Sequence, residues 1–254
     1  MPVFFKPTKL CQKAHAMQIS MPIIDLICDE QEIYEQLLPL CGANILELGC
    51  GKADKTRAIA KAEKAAAILA LEVDAIQHAH NLAIMDLPNV CFELGGAENI
   101  PVVDASMDIV LMFKSLHHVP MDKMNQALAE VHRVLKPGGL AYISEPIYAG
   151  GFNEILRLFH DEKQVREAAF SAIEQAASSE LMTLVTQKFF KTPMHFDDFM
   201  QFEEKIINVT HTHHALLPEL YNAVHTKFEQ HMTVKGVDFF MPIRVDLLRK
   251  PSKL

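Results

Sequence analysis

The chain has 254 residues, half of them hydrophobic and 22% charged, with a net charge of −8. Those figures describe an ordinary globular composition, long enough for one α/β domain with embellishments or two small domains. They lean against a protein whose main task is to hold nucleic acid. No apolar run approaches the roughly 18 residues needed for a membrane span. The N-terminal "MPVFFKPTKLCQKAHAMQ" has no apolar core of the kind a secretory signal carries. Five cysteines are scattered without a CxxC pair, which fits a reduced, cytoplasmic chain with no disulfide framework and no zinc ribbon.

In chain order, residues 1–40 read as a helical extension. Ile23, Ile24, Ile27, Ile33, Leu37 and Leu38 fall roughly on helical spacing and stop at Pro39. Five short apolar runs follow: Asn44–Leu48, Ala67–Glu72, Val90–Leu94, Met107–Phe113 and Leu140–Ser144. "MDIVLMF" is apolar almost throughout, as in a strand covered by helices on both faces. Helical stretches lie between the runs. Met124, Ala127, Leu128, Val131 and Leu135 form one stripe, which Pro137 and two glycines end. The alternation predicts a Rossmann-like, doubly wound, mostly parallel sheet.

Beyond Tyr148 the pattern changes. Residues 149–200 read as a helical lid whose long helix runs toward Pro193, with Val165, Ala168, Ala169, Ala172, Ile173 and Ala176 as its apolar stripe. "EKIINVT" (204–210) reads as a strand and 218–234 as a helix. In "GVDFFMPIRVDLLRK", Phe239, Met241, Ile243, Val245 and Leu247 alternate with Asp238, Arg244 and Asp246. This predicts an antiparallel last strand with a polar outer face, in which Pro242 sits where no ladder donor is needed. The whole chain, 1–254, is thus read as one domain: extension 1–40, core 41–148, lid 149–200 and C-terminal strands and helix 201–254.

The first strand runs into "ELGCGKAD" (47–54). A glycine turn before a helix lets backbone approach a ligand closely and offers free N–H groups. The dinucleotide pattern GxGxxG requires glycine where Asp54 stands, and an aspartate there opposes a pyrophosphate. Glu47 lies in an otherwise apolar strand, where a carboxylate needs a partner. The amino group of a cationic ligand would supply one, and so would local backbone N–H groups. Cys50 reads as a small residue that fits the turn.

"ILELGCGKA" resembles the first motif of class I S-adenosylmethionine-dependent methyltransferases, with Ala53 at the third glycine position. "GGAENIPVVDASMDIVLMFKSLHHVP" and "EVHRVLKPGGLAYISEP" resemble two further motifs in order and at suitable spacing. The resemblance covers about residues 40–148 and is to the broad subgroup that includes the ubiquinone/menaquinone C-methyltransferases. It implies S-adenosyl-L-methionine as cofactor, S-adenosyl-L-homocysteine as product, and a small-molecule acceptor methylated by in-line displacement. It also implies a cofactor-binding set of Glu47, Gly49, Cys50, Gly51, Glu72, Ala97, Glu98 and Lys114. The ribose-binding acid is Glu72 or Asp74; Glu72 is favoured because Asp74 suits a helix N-cap. Ala53 is expected to be tolerated if its φ is negative. Gly96 replaces the aspartate that often contacts adenine, and Glu98 is the candidate substitute.

"SLHHVP" follows the fourth strand at the edge where doubly wound sheets bind ligands, making His117 and His118 the catalytic candidates. Glu145 and Tyr148 share that rim, with Glu145 read as structural or as a substrate contact. "THTHHA" (210–215) has three histidines but no nearby cysteine or carboxylate to complete a zinc set, so no metal is expected. Phe152, Leu156, Phe159, Phe189 and Phe190 in the lid read as core, and an apolar or amphipathic acceptor is a working expectation. Two rival readings stand beside the methyltransferase: a catalytically silent domain of the same family that binds cofactor or a partner, and a nucleotide-dependent oxidoreductase.

Overall fold

The computed structural model describes residues 16–62, 64–208 and 216–252. After α1 (Glu30–Leu37) come β1 (Asn44–Leu48), α2 (Asp54–Lys61), β2 (Ala67–Glu72), α3 (Ala75–Leu82), β3 (Val90–Leu94) and β4 (Met107–Phe113). They are followed by α4 (Met124–Val134), β5 (Leu135–Pro146), α5 (Gly151–Leu156), α6 (Lys163–Ser178) and β6 (Thr183–Phe196). The last elements are α7 (Phe199–Phe202), α8 (Pro218–Glu229) and β7 (Val237–Arg249). Among the described residues the strands form one seven-stranded sheet in the order β3-β2-β1-β4-β5-β7-β6. Neighbours from β3 to β5 pair in parallel, and β7 is antiparallel to both β5 and β6. The order reverses between β1 and β4, the point beyond whose C-terminal strand ends doubly wound sheets bind their ligands.

Alternate residues of the strands feed two cores, so the period of two separates the faces. Leu46, Val110, Ala141, Ile143 and Leu248 pack with α4 and α6. Ile45, Ile109, Leu111, Tyr142, Val245 and Leu247 pack with Ile33 and Tyr34 of α1 and Ile59 of α2. A third cluster lies beyond the sheet. Phe152, Phe196, Phe199, Phe202, Phe228 and Phe239 join α5, α7 and α8 to the far halves of β6 and β7. Edge-to-face ring contacts bind it, such as Phe196–Phe202 at 5.4 Å between centroids. No helix among the described residues is long and apolar enough to cross a membrane.

Four sequence expectations need correction. The helix of 149–200 stops at Ser178, and Thr183–Phe196 is the strand β6. Only part of the segment is therefore helical. Its β-branched and aromatic residues pair across the whole length of β7, and that long-range ladder outweighs local helical spacing. Residues 204–210 do not start with a strand: Glu203–Ile207 forms a π-helical turn continuing α7. Of the expected N-terminal helical extension, residues 1–15 lie outside the described residues, and within 16–40 the helix covers Glu30–Leu37, started by a capping box at Asp29 and Glu32. Residues 16–29 run without helix along the sheet edge, where Cys28 N–H donates to Lys191 O (3.1 Å) and Lys191 N–H to Leu26 O (2.8 Å). These bonds cover part of an exposed edge.

Strand β7 is the fourth place where the fold departs from the sequence pattern. Arg244 and Asp246 are not on a polar outer face; they are 2% and 0% exposed. The strand lies between β5 and β6, and α6 covers the side they occupy. Arg244 Nε donates to Asp246 Oδ2 (2.7 Å), its Nη1 to Ile19 O (3.1 Å), and its guanidinium lies 4.7 Å from the Phe170 ring centroid. Gln187 Nε2 donates to Asp246 Oδ1 (2.6 Å). Pro242 fits as expected. Its partner Lys191 points its N–H outward to Leu26, so this pair exchanges no ladder bonds, and the β5 pairing has ended one residue away at Ile243.

Removing one member of a buried pair leaves the other charge uncompensated. Asp246→Leu is expected to lower stability by about 3–5 kcal/mol, and the double variant Arg244→Met/Asp246→Leu to recover most of it. Urea denaturation of the two variants checks both.

Candidate functional site

The site sits where β1, β2, β4 and β5 end. β1 passes into Gly49 (φ 74) and Gly51 (φ 52), and α2 begins at Asp54. Gly49 and Cys50 both donate N–H bonds to Leu71 O, at 2.9 and 3.0 Å, which ties the turn to β2. A Cβ on Gly49 would lie 2.8 Å from Ser115 Cβ, so the turn and the loop after β4 meet where only glycine fits. A Cβ on Gly51 would meet nothing within 4 Å; the turn faces open space there. Ala53 has φ 61 rather than the negative φ expected, and is fully buried. It keeps the left-handed conformation of a glycine position with a side chain attached, at a cost of about 1–2 kcal/mol.

Two buried side chains hold this turn. Asn81 of α3 donates to Gly51 O at 2.8 Å and approaches Cys50 Sγ at 3.4 Å. Burial pushes the Cys50 thiol up, which keeps it protonated and inert. Glu72, at the end of β2, accepts from Gly51 N–H on Oε2 (2.7 Å) and from Val73 and Asp74 N–H on Oε1 (2.8 and 2.9 Å). Asp74 caps α3 by accepting from Ile76 N–H at 2.9 Å. Of the two acids weighed for the ribose, Glu72 is thus the one directed at the glycine turn.

Glu47 is 2% exposed and accepts from the Thr56 hydroxyl at 2.6 Å. Its partner is this hydroxyl on α2, not local backbone. Burial outweighs that bond and the more distant Lys55, raising the carboxyl to about 7. Beneath β3, the Glu98 carboxylate stands directly over Gly96: a Cβ there would lie 2.5 Å from Oε2. Glu98 fills the volume that a side chain at position 96 would claim, and Ala97 beside it is buried. Lys114 (φ 54) donates its N–H to Ser144 O at 2.8 Å, while its ammonium is 2.5 Å from the buried Glu30 of α1. Its charge is spent on the N-terminal helix. Ser115 Oγ donates to Leu48 O at 2.7 Å, locking the two loops together.

The histidine pair splits. His117 is buried and His118 exposed; their rings lie 4.1 Å apart. His117 Nδ1 is 2.5 Å from Glu145 Oε2, and its Nε2 is 3.6 Å from Glu162 Oε1. Glu145 Oε1 accepts from Leu116 N–H at 3.0 Å. Burial alone would lower the imidazole, but Glu145 and then Glu162 overcome it and raise His117 to about 9. Glu145, although buried, is held below the usual carboxylate range by His117. Glu162 is lowered too, against its burial, by His117, His160 and Arg166. Arg166 donates to Glu162 Oε2 (Nη2 at 2.5 Å, Nε at 3.1 Å) and to Asn153 Oδ1 (3.1 Å). His160 Nε2 lies 3.0 Å from Glu162 Oε1. Among the described residues His117, His118 and Glu162 form a group able to hold a metal ion, whereas none was expected. The "THTHHA" segment (210–215) lies outside the described residues.

Sequence reasoning brought Glu47, Gly49, Gly51, Glu72 and His117 to one edge, and the structure keeps them there. It missed Thr56, Asn81, Glu162 and Arg166. The signal available for the last two was their i,i+4 spacing, which resembles any surface ion pair.

A methyltransferase domain family matches residues 45–139. A probable S-adenosylmethionine-dependent methyltransferase of Mycolicibacterium smegmatis is 30% identical over 153 residues, 59% of this chain and 57% of the relative. The ubiquinone/menaquinone biosynthesis C-methyltransferase UbiE of Rubrivivax gelatinosus is 31% identical over 103 residues, 40% of this chain and 38% of the relative. The chain thus spans only about half the length, or less, of these curated relatives. The crystal structure of the YcgJ protein from Bacillus subtilis superposes with a TM-score of 0.60 at 17% identity, covering 88% of this chain and 98% of that one, and so shares the fold.

The turn geometry separates two glycine positions. Gly49→Ala is expected to destabilise by about 2–4 kcal/mol, from the left-handed φ and the clash with Ser115. Ala53→Gly is expected to be neutral or stabilising by up to about 1 kcal/mol, strain relief being partly offset by unfolded-chain entropy. Thermal and urea denaturation of the two variants check the pair.

Proposed function

We propose that this chain, which belongs to the class I S-adenosylmethionine-dependent methyltransferase family, methylates a small-molecule acceptor by in-line displacement. The observation that carries the reading is the glycine turn flanked by Glu72 and Glu47, with Gly51 facing open space between them. The site fits the cofactor on its donor set: carboxylates bracket the turn, which suits a ligand with positive charge and no phosphate at that point. Bound there, S-adenosyl-L-methionine supplies a methyl group already activated on a sulfonium.

The chain's own residues then bind, orient and exclude water. Gly49 and Gly51 bring backbone close to the ligand. Glu72 trades its backbone bonds for ribose hydroxyls, and ionised Glu47 receives the ligand's ammonium group. Ala97 and Glu98 form the adenine edge, with Glu98 standing in for a side chain at Gly96. Lys114 contributes backbone position, its ammonium being held by Glu30. Holding acceptor and methyl group in line supplies up to about 7–11 kcal/mol of the barrier. His118, exposed on the turn after β4, is the side chain placed to meet the acceptor; His117 is a positioning residue held by Glu145 and Glu162. An apolar or amphipathic acceptor is in keeping with a relative named for quinone biosynthesis. Free Cys28, Cys41, Cys50 and Cys91 support a reducing, cytoplasmic setting.

Calorimetry with S-adenosyl-L-methionine, S-adenosyl-L-homocysteine and NAD tests the reading. Binding of the first two without NAD is expected; NAD binding alone overturns it, and turnover of labelled cofactor against a metabolite panel separates an enzyme from a silent binder. Glu72→Ala is expected to weaken cofactor binding about tenfold or more. The pH dependence follows from Glu47. Below pH 7 its carboxyl is protonated and offers an ammonium group no charge. Affinity should therefore rise severalfold from pH 6 to 7.5 as it ionises. Glu47→Gln should remove the rise, as read by calorimetry across that range.

A further inference from the structure

We propose that His117, His118 and Glu162 bind a divalent transition-metal ion at the rim of the cofactor cleft. Each residue offers one ligand atom, and the three atoms lie within 4.8 Å of one another. The distance from His117 Nε2 to Glu162 Oε1 is 3.6 Å. Two ligands about 2.0–2.1 Å from a tetrahedral ion stand about 3.3 Å apart, so the His117–Glu162 pair needs only a small contraction, and the exposed His118 closes on the ion by a larger step.

The surroundings of the three ligands carry the argument further. Metal-bound imidazoles characteristically donate their other N–H to a carboxylate, and metal-bound carboxylates are themselves hydrogen-bonded. Both features are built here. Glu145 engages His117 Nδ1, which directs Nε2 toward Glu162. Arg166 engages Glu162 through Oε2, leaving Oε1 turned to His117 and His160. Glu145 and Glu162 are 1% and 8% exposed and Arg166 is 7% exposed, so these orienting bonds are sheltered from water. An ion entering displaces the proton from His117 Nε2 and substitutes for the His160 bond to Oε1.

Two imidazoles and one carboxylate suit zinc, iron(II), cobalt(II) or manganese(II) better than calcium or magnesium, which take oxygen ligands. Three protein ligands leave positions open, and the exposed His118 gives the entry path. An open position beside the cofactor cleft suits an acceptor with a hydroxyl oxygen. That role rests on the methyltransferase reading; the binding itself does not.

The test uses tag-free, full-length protein stripped with a chelator, then titrated with Zn²⁺ by calorimetry and with Co²⁺ by visible absorption. One equivalent bound at micromolar affinity or tighter is expected. His118→Ala, an exposed change that spares the core, and Glu162→Gln should each weaken binding tenfold or more. Glu145→Gln should weaken it about 10–100-fold by releasing His117. No saturable binding, or wild-type affinity in His118→Ala, overturns the site. So does binding that disappears when His211, His213 and His214 are replaced together. Cofactor calorimetry on the same stripped protein keeps the two readings apart: cofactor binding without metal binding ends the metal proposal alone, and the reverse ends the methyltransferase reading alone.

Discussion

The ion pair of His117 with Glu145 is the constraint on which the rest of the site's architecture depends. A charged imidazole and a carboxylate are both taken out of water at the heart of the sheet edge, and each is costly alone. The structure meets that cost by extending the pair in both directions. On one side Glu162 and Arg166 of the α6 region continue the alternation of charge, closing on Asn153 of α5. On the other, Arg244 of β7 stands opposite Glu145 in the β5–β7 register and is itself matched by Asp246. A single chain of opposite charges thereby joins the loop after β4, strand β5, the antiparallel strand β7 and helix α6. No member can move to a new rotamer without stranding its neighbour.

This ladder explains why β7 carries charge inward. A strand lying between β5 and β6 with helices on both faces ought to be apolar throughout, and Ile243, Val245 and Leu247 follow that rule on one face. On the α6 face, Arg244 supplies a positive charge near Glu145 and lowers the cost of keeping that carboxylate ionised. Asp246 then becomes necessary to balance Arg244. Its carboxyl is still lifted above the usual range, because burial exceeds what the guanidinium returns. The polarity of the strand is dictated from the site outward.

What the sequence revealed follows the same division. Strands β1 to β4 were legible to the residue because buried parallel strands leave uninterrupted apolar runs between Gly and Asp punctuation. Strand β6 was not, because its half-exposed edge alternates Lys, Thr and Phe without an apolar run. Its identity comes from pairing with residues about fifty positions later. The segment at Leu26 and Cys28 owes its extended form to Lys191, a contact no local pattern announces. In the site, Glu47 betrayed itself as a charge inside an apolar run. Glu162 and Arg166 looked like a surface pair at i,i+4, and Arg244 and Asp246 like the polar face of an antiparallel strand. In both cases the residue types were visible and only their burial was hidden.

The two halves of the cleft therefore differ in what holds them. On the β1–β2 side, the candidate groups are fixed mainly by backbone: Gly49 and Cys50 on Leu71 O, Glu72 on Gly51 N–H, Ser115 Oγ on Leu48 O. Such a scaffold tolerates side-chain change, and Ala53 persists there in a left-handed conformation because these bonds over-determine the turn. On the β4–β5 side the groups are held mainly by side-chain charge, through residues spread from 117 to 246, with the Leu116 N–H bond to Glu145 as a backbone anchor. That side can be changed only by compensated substitutions. The two sides of the sheet edge thus differ in how they can change, one through side chains carried on a fixed backbone and the other through compensated charge pairs.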